Sequence, residues 1–233
     1  MKLIKLVLIL VMVSLFQIMN AQDESSANPI VIGGSLNFLT QNNTYPFSSL
    51  TINSGIGGIY SNSTNQTKNF TFSISPYIGK ELNQNWLLGI ELDYRIGNYK
   101  AEDTFVFGQL NTVDFERKSN QIGIGIIIRY ILNPEDQFNF YLQPYVEYNI
   151  LNEEESQDSN VTQEEKANYI ELGIGGGILY NINDTWRATI RIGGLNYVNG
   201  SWEIVDTDTG NDFSSFGTNL NFSSIRFGIE MKL

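Results

Sequence analysis

The most regular stretch of the chain runs from Ser119 to Asn149, where large apolar side chains take alternate positions on either side of a short polar break. Ile122, Ile124, Ile126, Ile128 and Tyr130 precede the break Asn133-Pro134-Glu135-Asp136-Gln137, and Phe138, Phe140, Leu142, Val146 and Tyr148 follow it. Most intervening positions are glycine, polar or charged: Gly123, Gly125 and Arg129, then Asn139, Gln143, Glu147 and Asn149. A period of two held over ten residues predicts long strands with one apolar and one polar face, joined here as a hairpin.

The pattern recurs along the chain. It predicts strands over 30–40, 69–80, 86–100, the two arms of the 119–149 hairpin, 169–180, 186–198 and 218–233. The connections alternate long and short, so a meander would gather the short turns at one end and the long loops (41–68, 101–118, 152–168 and 199–217) at the other. Asn83, Asn133 and Asn183 recur every 50 residues, each opening a turn before an aromatic residue: Trp86, Phe138 and Trp186. The reading is an all-β fold, an eight-stranded antiparallel up-and-down transmembrane β-barrel, in one domain over 22–233. Residues 1–21 read as a cleaved signal peptide. Lys2 and Lys5 start it, Leu6 to Phe16 is an apolar run too short to span a bilayer, and Asn20-Ala21 precede Gln22.

Which face is outward decides between a soluble barrel and a membrane barrel, because the first buries its apolar face and the second turns it to lipid. The polar face carries Gly79, Gly89, Gly97, Gly123, Gly125, Gly173, Gly175, Gly177, Gly193 and Gly228. Glycine weakens a strand in bulk water but makes room inside a narrow barrel. Every arginine except Arg117 shares that face: Arg95, Arg129, Arg187, Arg191 and Arg226. So do Glu91, Asp93, Glu147, Glu171 and Glu230, a balanced set expected to pair in a confined lumen. Trp86, Tyr94, Tyr130, Phe138, Tyr148, Tyr180 and Trp186 gather near strand ends on the apolar face, where aromatic girdles are expected. Ten steps from Phe138 to Tyr148, at about 3.3 Å each and tilted by about 40°, cover roughly 25 Å along the normal, the height of the apolar band. The polar face therefore reads as luminal.

Composition narrows the function. There is no cysteine and no histidine, which removes thiolate metal sites, disulfides and the usual general base. Loss of the signal segment takes two lysines with it and moves the formal charge from −11 to −13, against any nucleic-acid partner. Phe227, Ile229, Met231 and Leu233 alternate with charged residues and glycine to the last position, forming a candidate membrane-insertion signal.

Ile32-Gly33-Gly34-Ser35-Leu36, Ser75-Pro76-Tyr77, Gln143-Pro144-Tyr145, Gly193-Gly194-Leu195-Asn196-Tyr197 and the closing run from Asn219-Leu220-Asn221-Phe222 to Leu233 appear in order. With them the mature chain resembles the small bacterial outer-membrane β-barrel family, the OmpA/OmpX-like eight-stranded porin-type barrels. The resemblance implies a Gram-negative outer-membrane location, contact with outer-membrane lipid and lipopolysaccharide, and insertion by the outer-membrane assembly machinery. It implies no single activity, since relatives are structural proteins, adhesins, narrow pores and occasionally enzymes. Strand eight reaches the last residue, so the peptidoglycan-binding domain that follows the barrel in OmpA itself is not expected here.

Candidate chemistry is sparse. Glu91 and Asp93 lie about 7 Å apart along one strand face, as an acid–base pair would, but luminal pairing with Arg95 and its neighbours explains them better. Gly123-Ile124-Gly125 and Gly173 to Gly177 lie inside strands with no following helix, so they cannot cradle phosphate. The acidic stretch with Glu153, Glu154, Glu155, Asp158, Glu164 and Glu165 lacks the spacing of a calcium loop and reads as solvated charge. No catalytic residue, metal site or cofactor is expected, and the chain is expected to be a monomer. Three readings remain: a structural barrel with a filled lumen, a narrow pore, and an adhesin acting through loop residues such as Tyr45, Phe47, Tyr60, Phe105, Phe107 and Phe115.

Overall fold

The computed structural model describes residues 29–49, 61–107, 109–157, 160–207, 209–218 and 225–233. The signal segment and Tyr60 lie outside the described residues, as do the side chains of Tyr45, Phe47, Phe105 and Phe107. Nine strands follow in order: β1 (Ile30–Ser49), β2 (Ser61–Glu81), β3 (Trp86–Phe107), β4 (Gln109–Leu132), β5 (Phe138–Gln157), β6 (Asn160–Asn181), β7 (Trp186–Ile204), β8 (Gly210–Thr218) and β9 (Arg226–Lys232). All pairings are antiparallel. The sheet order β6-β5-β4-β3-β2-β1-β9-β7-β8, with β6 also paired to β7, closes the sheet on itself. β9 pairs with β7 from Trp186 to Arg191 and β8 pairs with β7 from Leu195 to Glu203, so the two share the eighth position of the barrel.

Side-chain parity sets inside and outside. On β4 and β5 the even positions, from Ile122 to Tyr130 and Phe138 to Ile150, face outward, with Phe138 64% and Ile122 58% exposed. The odd positions Gln121, Arg129, Asn139, Gln143 and Asn149 are buried. Apolar outside and polar inside is the arrangement of a barrel solvated by lipid.

The barrel is narrow, and its tyrosines show how narrow. Tyr77 lies directly across the ladder from Gly33, Tyr145 from Gly173 and Tyr141 from Gly177. A Cβ on Gly33 would come within 2.7 Å of the Tyr77 ring, and one on Gly173 or Gly177 would strike Tyr145 or Tyr141. Each inward tyrosine thus lies flat over a glycine on the neighbouring strand, which is the space those glycines provide.

The strands are longer than their apolar patterns predict. β4 has 24 residues, roughly 80 Å of strand, of which a tilted span uses about 11 residues. The expected loop over 101–118 is mostly paired strand, as β3 and β4 stay in register to Phe107↔Gln109. The acidic stretch 152–168 is likewise carried by the ends of β5 and β6, in pairs such as Asn152↔Lys166. Ladder hydrogen bonds need no apolar face, so pairing continues past the lipid band where both faces are wet. The short turns match their asparagines. Asn83 Oδ1 accepts the backbone N–H groups of Asn85 (2.9 Å) and Trp86 (3.0 Å), and Asn183 Oδ1 does the same for Thr185 (2.9 Å) and Trp186 (2.8 Å). Asn133 instead takes a positive φ of 50°, which asparagine tolerates.

One irregularity escapes the sequence pattern. Gly175 pairs with Gly194 but Gly176 pairs with Ile192, which leaves Gly193 as a bulge in β7. Outward positions switch there from even (Ile192) to odd (Leu195, Tyr197). Without it, Leu195 and Tyr197 would point into the lumen.

Ile126 lies opposite Ile90, midway between Trp86 and Tyr94 on the neighbouring strand, so Ile126→Arg is expected to destabilise the barrel by about 2–4 kcal/mol. Val161→Arg, on the extension of β6, is expected to change stability by less than about 0.5 kcal/mol. Equilibrium unfolding of both variants in lipid vesicles checks the contrast.

Candidate functional site

The luminal charges fall into two groups. The first lies at the short-turn end. Arg129 on β4 is 1% exposed and donates through Nη1 to Glu230 Oε2 of β9 at 2.7 Å. Its Nε donates to Gln143 Oε1 at 3.0 Å, and its guanidinium packs 5.1 Å from the Tyr77 ring and 4.6 Å from the Tyr141 ring. Arg187 Nε lies 2.9 Å from the other Glu230 oxygen, an ion pair whose angle falls short of a hydrogen bond. Arg187 Nη2 donates to Glu81 Oε1 at 2.5 Å, and Lys232 Nζ lies 3.2 Å from the same oxygen. The chain of charges runs from β4 to β9, β7 and β2 across the inside of the barrel.

The second group lies further toward the long hairpins. Arg191 grips Glu91 through two parallel bonds of 2.8 and 2.6 Å. Arg226 Nη1 donates to Asp93 Oδ2 at 2.6 Å and to Ser75 Oγ at 2.6 Å, and Ser75 donates in turn to Asp93 at 3.1 Å. Such forked, charge-assisted bonds are strong where water is partly excluded. With both Glu91 and Asp93 tied to arginine, neither is placed as a free acid or base. Glu171 accepts from Tyr145 Oη at 2.6 Å and from Asn196 Nδ2 at 3.1 Å. Glu147 and Arg95 have no hydrogen bond or ion pair among the described residues; both line a cavity of about 360 Å³ beside the second group.

Sequence reasoning misses two members of the first group. Glu81 falls just past the strand expected over 69–80, and Lys232, on the polar face of the last strand, is not among the expected luminal pairs; both continue the inward parity of β2 and β9. They add one charge of each sign, so the luminal set stays balanced. Of the expected girdle, Trp86 packs at a tilt against Tyr130 and Phe138 against Tyr180, both at 4.7 Å between ring centroids and both at the short-turn end. Trp186 lies at the same end, and Tyr94 and Tyr148 lie on the outer face toward the other. Phe227, Ile229 and Leu233 point outward and Met231 is half-buried.

Removing one partner of a buried ion pair leaves the other uncompensated, which costs about 3–5 kcal/mol. Glu230→Ala, which strands both Arg129 and Arg187, is expected to lose at least that much in equilibrium unfolding from lipid vesicles.

Outside the membrane, Arg117 pairs with Glu155 at 3.0 Å and Lys100 with Glu116 at 3.2 Å. Glu153 faces Glu165 directly across the β5–β6 ladder. Burial, opposed by Arg117 and reinforced by Glu165 and Glu155, pushes the Glu153 carboxyl above the ordinary carboxylate value. A raised value means the folded extension holds its proton longer than the unfolded chain, so its stability falls as pH rises through that value. Amide protection factors of the β5–β6 extension, corrected for intrinsic exchange, are expected to increase on acidification from neutral pH, and Glu153→Gln is expected to flatten the response.

Comparison with known proteins agrees with this architecture. Residues 20–192 match the family described as the outer membrane protein beta-barrel domain. Similar solved structures include Neisserial surface protein A, 16% identical over 90% of this chain and 100% of that one, with a TM-score of 0.39. A major outer membrane protein from Thermus thermophilus is 11% identical over 89% of this chain and 100% of that one, with a TM-score of 0.40. OprG from Pseudomonas aeruginosa is 12% identical over 89% of this chain and 96% of that one, with a TM-score of 0.39. No curated protein matches the chain. The matched segment spans well over half of the sequence, from before β1 into β7. The chain belongs to the outer membrane protein beta-barrel domain family and resides in the outer membrane.

Proposed function

We propose that the chain is a non-enzymatic integral outer-membrane protein whose lumen is plugged by its own side chains, with a structural or surface-interaction role. The observation that carries this reading is the buried Arg129–Glu230–Arg187–Glu81 chain, which crosses the lumen between four strands and leaves Arg129 1% and Glu230 1% exposed. An eight-position barrel has an interior about filled by side chains, so a cross-strut of this kind suffices to close it. The signal segment would be removed after Ala21. The outward alternation of Phe227, Ile229 and Leu233 would present the last strand to the assembly machinery, and the girdles would seat the barrel among lipid and lipopolysaccharide.

A surface role draws support from the hairpins. They carry paired strands and aromatic contacts beyond the apolar band, such as Tyr99 on Phe115 at 6.3 Å. Paired strands present side chains to a ligand in a more fixed geometry than coil does.

Single-channel recording in a planar bilayer separates the plugged barrel from a narrow pore. The refolded mature protein is expected to be silent, and Arg129→Ala with Arg191→Ala is expected to produce discrete openings. A heat-sensitive gel shift shows that each protein has folded. Openings in the unmodified protein that these substitutions alter would replace the plugged barrel with the pore.

A further inference from the structure

The outer face of the barrel carries a charge pattern that neither the lumen nor the girdles explain. On the long-hairpin side the outward apolar run ends at Phe70 on β2, Ile96 on β3 and Ile122 on β4. The first charged outward residues beyond those ends are Lys68, Lys100 and Lys118. All three are exposed, and they are half of the lysines that follow the signal segment in a chain of net negative charge.

Their register sets them side by side. Lys68 stands directly opposite Lys100 in the β2–β3 ladder. Lys118 stands opposite Asn98, one diagonal step from Lys100 and within reach of a long side chain. Like charges facing across a ladder destabilise it, and the acids nearby offset the row only in part. Glu116 lies 3.2 Å from Lys100 Nζ and 4.0 Å from Lys118 Nζ, and it also accepts from Asn98 at 3.0 Å. Glu154 faces Lys118 across the β4–β5 ladder. The Lys68 side chain makes no hydrogen bond or ion pair among the described residues. Lys166, the other lysine on this side of the apolar band, is differently placed, with Glu203 opposite it on β7.

The height of the row suits a headgroup. Four steps of about 3.3 Å, tilted by about 40°, raise Lys100 roughly 10 Å above Ile96. A lysine stem that lies back along apolar surface brings its ammonium into the interfacial layer, about 5–7 Å deep. Lys68 follows Phe70 directly on the outer face and needs no such reach.

We propose that Lys68, Lys100 and Lys118 form a docking surface for the phosphate-bearing headgroup of an anionic lipid in the outer leaflet. Barrels of this class turn their long hairpins away from the periplasm, which puts the row in that leaflet. Phosphate oxygens would accept from the ammonium groups, and the acyl chains would lie on Phe70 and Ile96. The inference rests on the seating among lipid proposed above and is independent of the lumen: conductance reads the Arg129 cluster, and lipid selectivity reads the lysines.

The test is electron spin resonance of the refolded mature barrel in phosphatidylcholine vesicles, with chain-labelled phosphatidic acid or chain-labelled phosphatidylcholine as the probe. The motionally restricted fraction of each probe gives their relative association with the barrel surface. Phosphatidic acid is expected to be preferred about fivefold or more, and the triple variant Lys68→Gln, Lys100→Gln, Lys118→Gln to fall near parity. Lys166→Gln is expected to leave the preference unchanged. A restricted phosphatidylcholine component and a heat-sensitive gel shift show that each protein is folded and seated in lipid, so a missing preference counts against the lysines alone. No preference in the unmodified barrel, a preference unaltered in the triple variant, or an equal loss in Lys166→Gln would each overturn the proposal. So would sodium phosphate abolishing the preference where sodium chloride at matched ionic strength does not, since the row would then take the free anion.

Discussion

Closure of the barrel rests on one carboxylate. β9 has only seven residues and holds the seam through six ladder pairs to β1 and six to β7. Glu230, near its end, gives one oxygen to Arg129 and the other to Arg187, so the closing strand is tied to β4 and β7 at once. A buried ion pair adds little net stability over a well-packed apolar alternative, but it is strict about which partner faces it. A slip of β9 by one residue would turn Glu230 to lipid and leave two guanidinium groups unpaired in the lumen. The ion pairs are therefore best understood as a register lock on a short seam.

That lock requires a narrow barrel, and the glycines supply the narrowness. Tyr77 and Tyr141 enclose the Arg129 guanidinium from two sides, and each can lie flat only because Gly33 or Gly177 stands opposite. Glycine, tyrosine and arginine thus act as layers of one packing solution. Glycine removes volume at the wall, tyrosine restores it as a rigid plate, and the plate offers its π-face to the cation in place of water.

Period-two alternation makes strand number, inside and outside legible in the sequence, because burial on one face writes itself into every second residue. It places Arg129 and Glu230 on one face, and the structure joins them. Alternation says nothing about which strands stand opposite each other across the lumen, so the specific partners, Arg191 with Glu91 and Arg226 with Asp93, are not readable. Glu81 escapes notice because a charged residue at a strand end looks like a turn residue, and Lys232, though on the polar face of the last strand, has no partner until Glu81 is placed inside. The bulge at Gly193 is hidden because a glycine pair gives no apolar position from which to see parity reverse. The hairpin extensions read as loops because, beyond lipid, neither face needs to be apolar and the pattern fades while the ladder continues.

Charge along the β5–β6 pair is distributed unevenly, and the imbalance has a structural cause. Three like-charge pairs face each other across this one ladder: Glu147↔Glu171, Glu153↔Glu165 and Glu154↔Glu164. Beyond the membrane, β4 brings basic residues against them, with Arg117 opposite Glu155 and Lys118 opposite Glu154. Inside the barrel β4 can bring none, because the position beside Glu147 must be glycine: a Cβ on Gly125 would lie 2.8 Å from the Val146 carbonyl oxygen and 3.2 Å from Glu147 Cα. The narrowness that allows Arg129 to lock the seam also denies Glu147 a basic neighbour on β4. The two demands meet within four residues of one strand, where Arg129 ties β4 to the closing strand below and Gly125 gives the acidic pair no basic neighbour on that strand above.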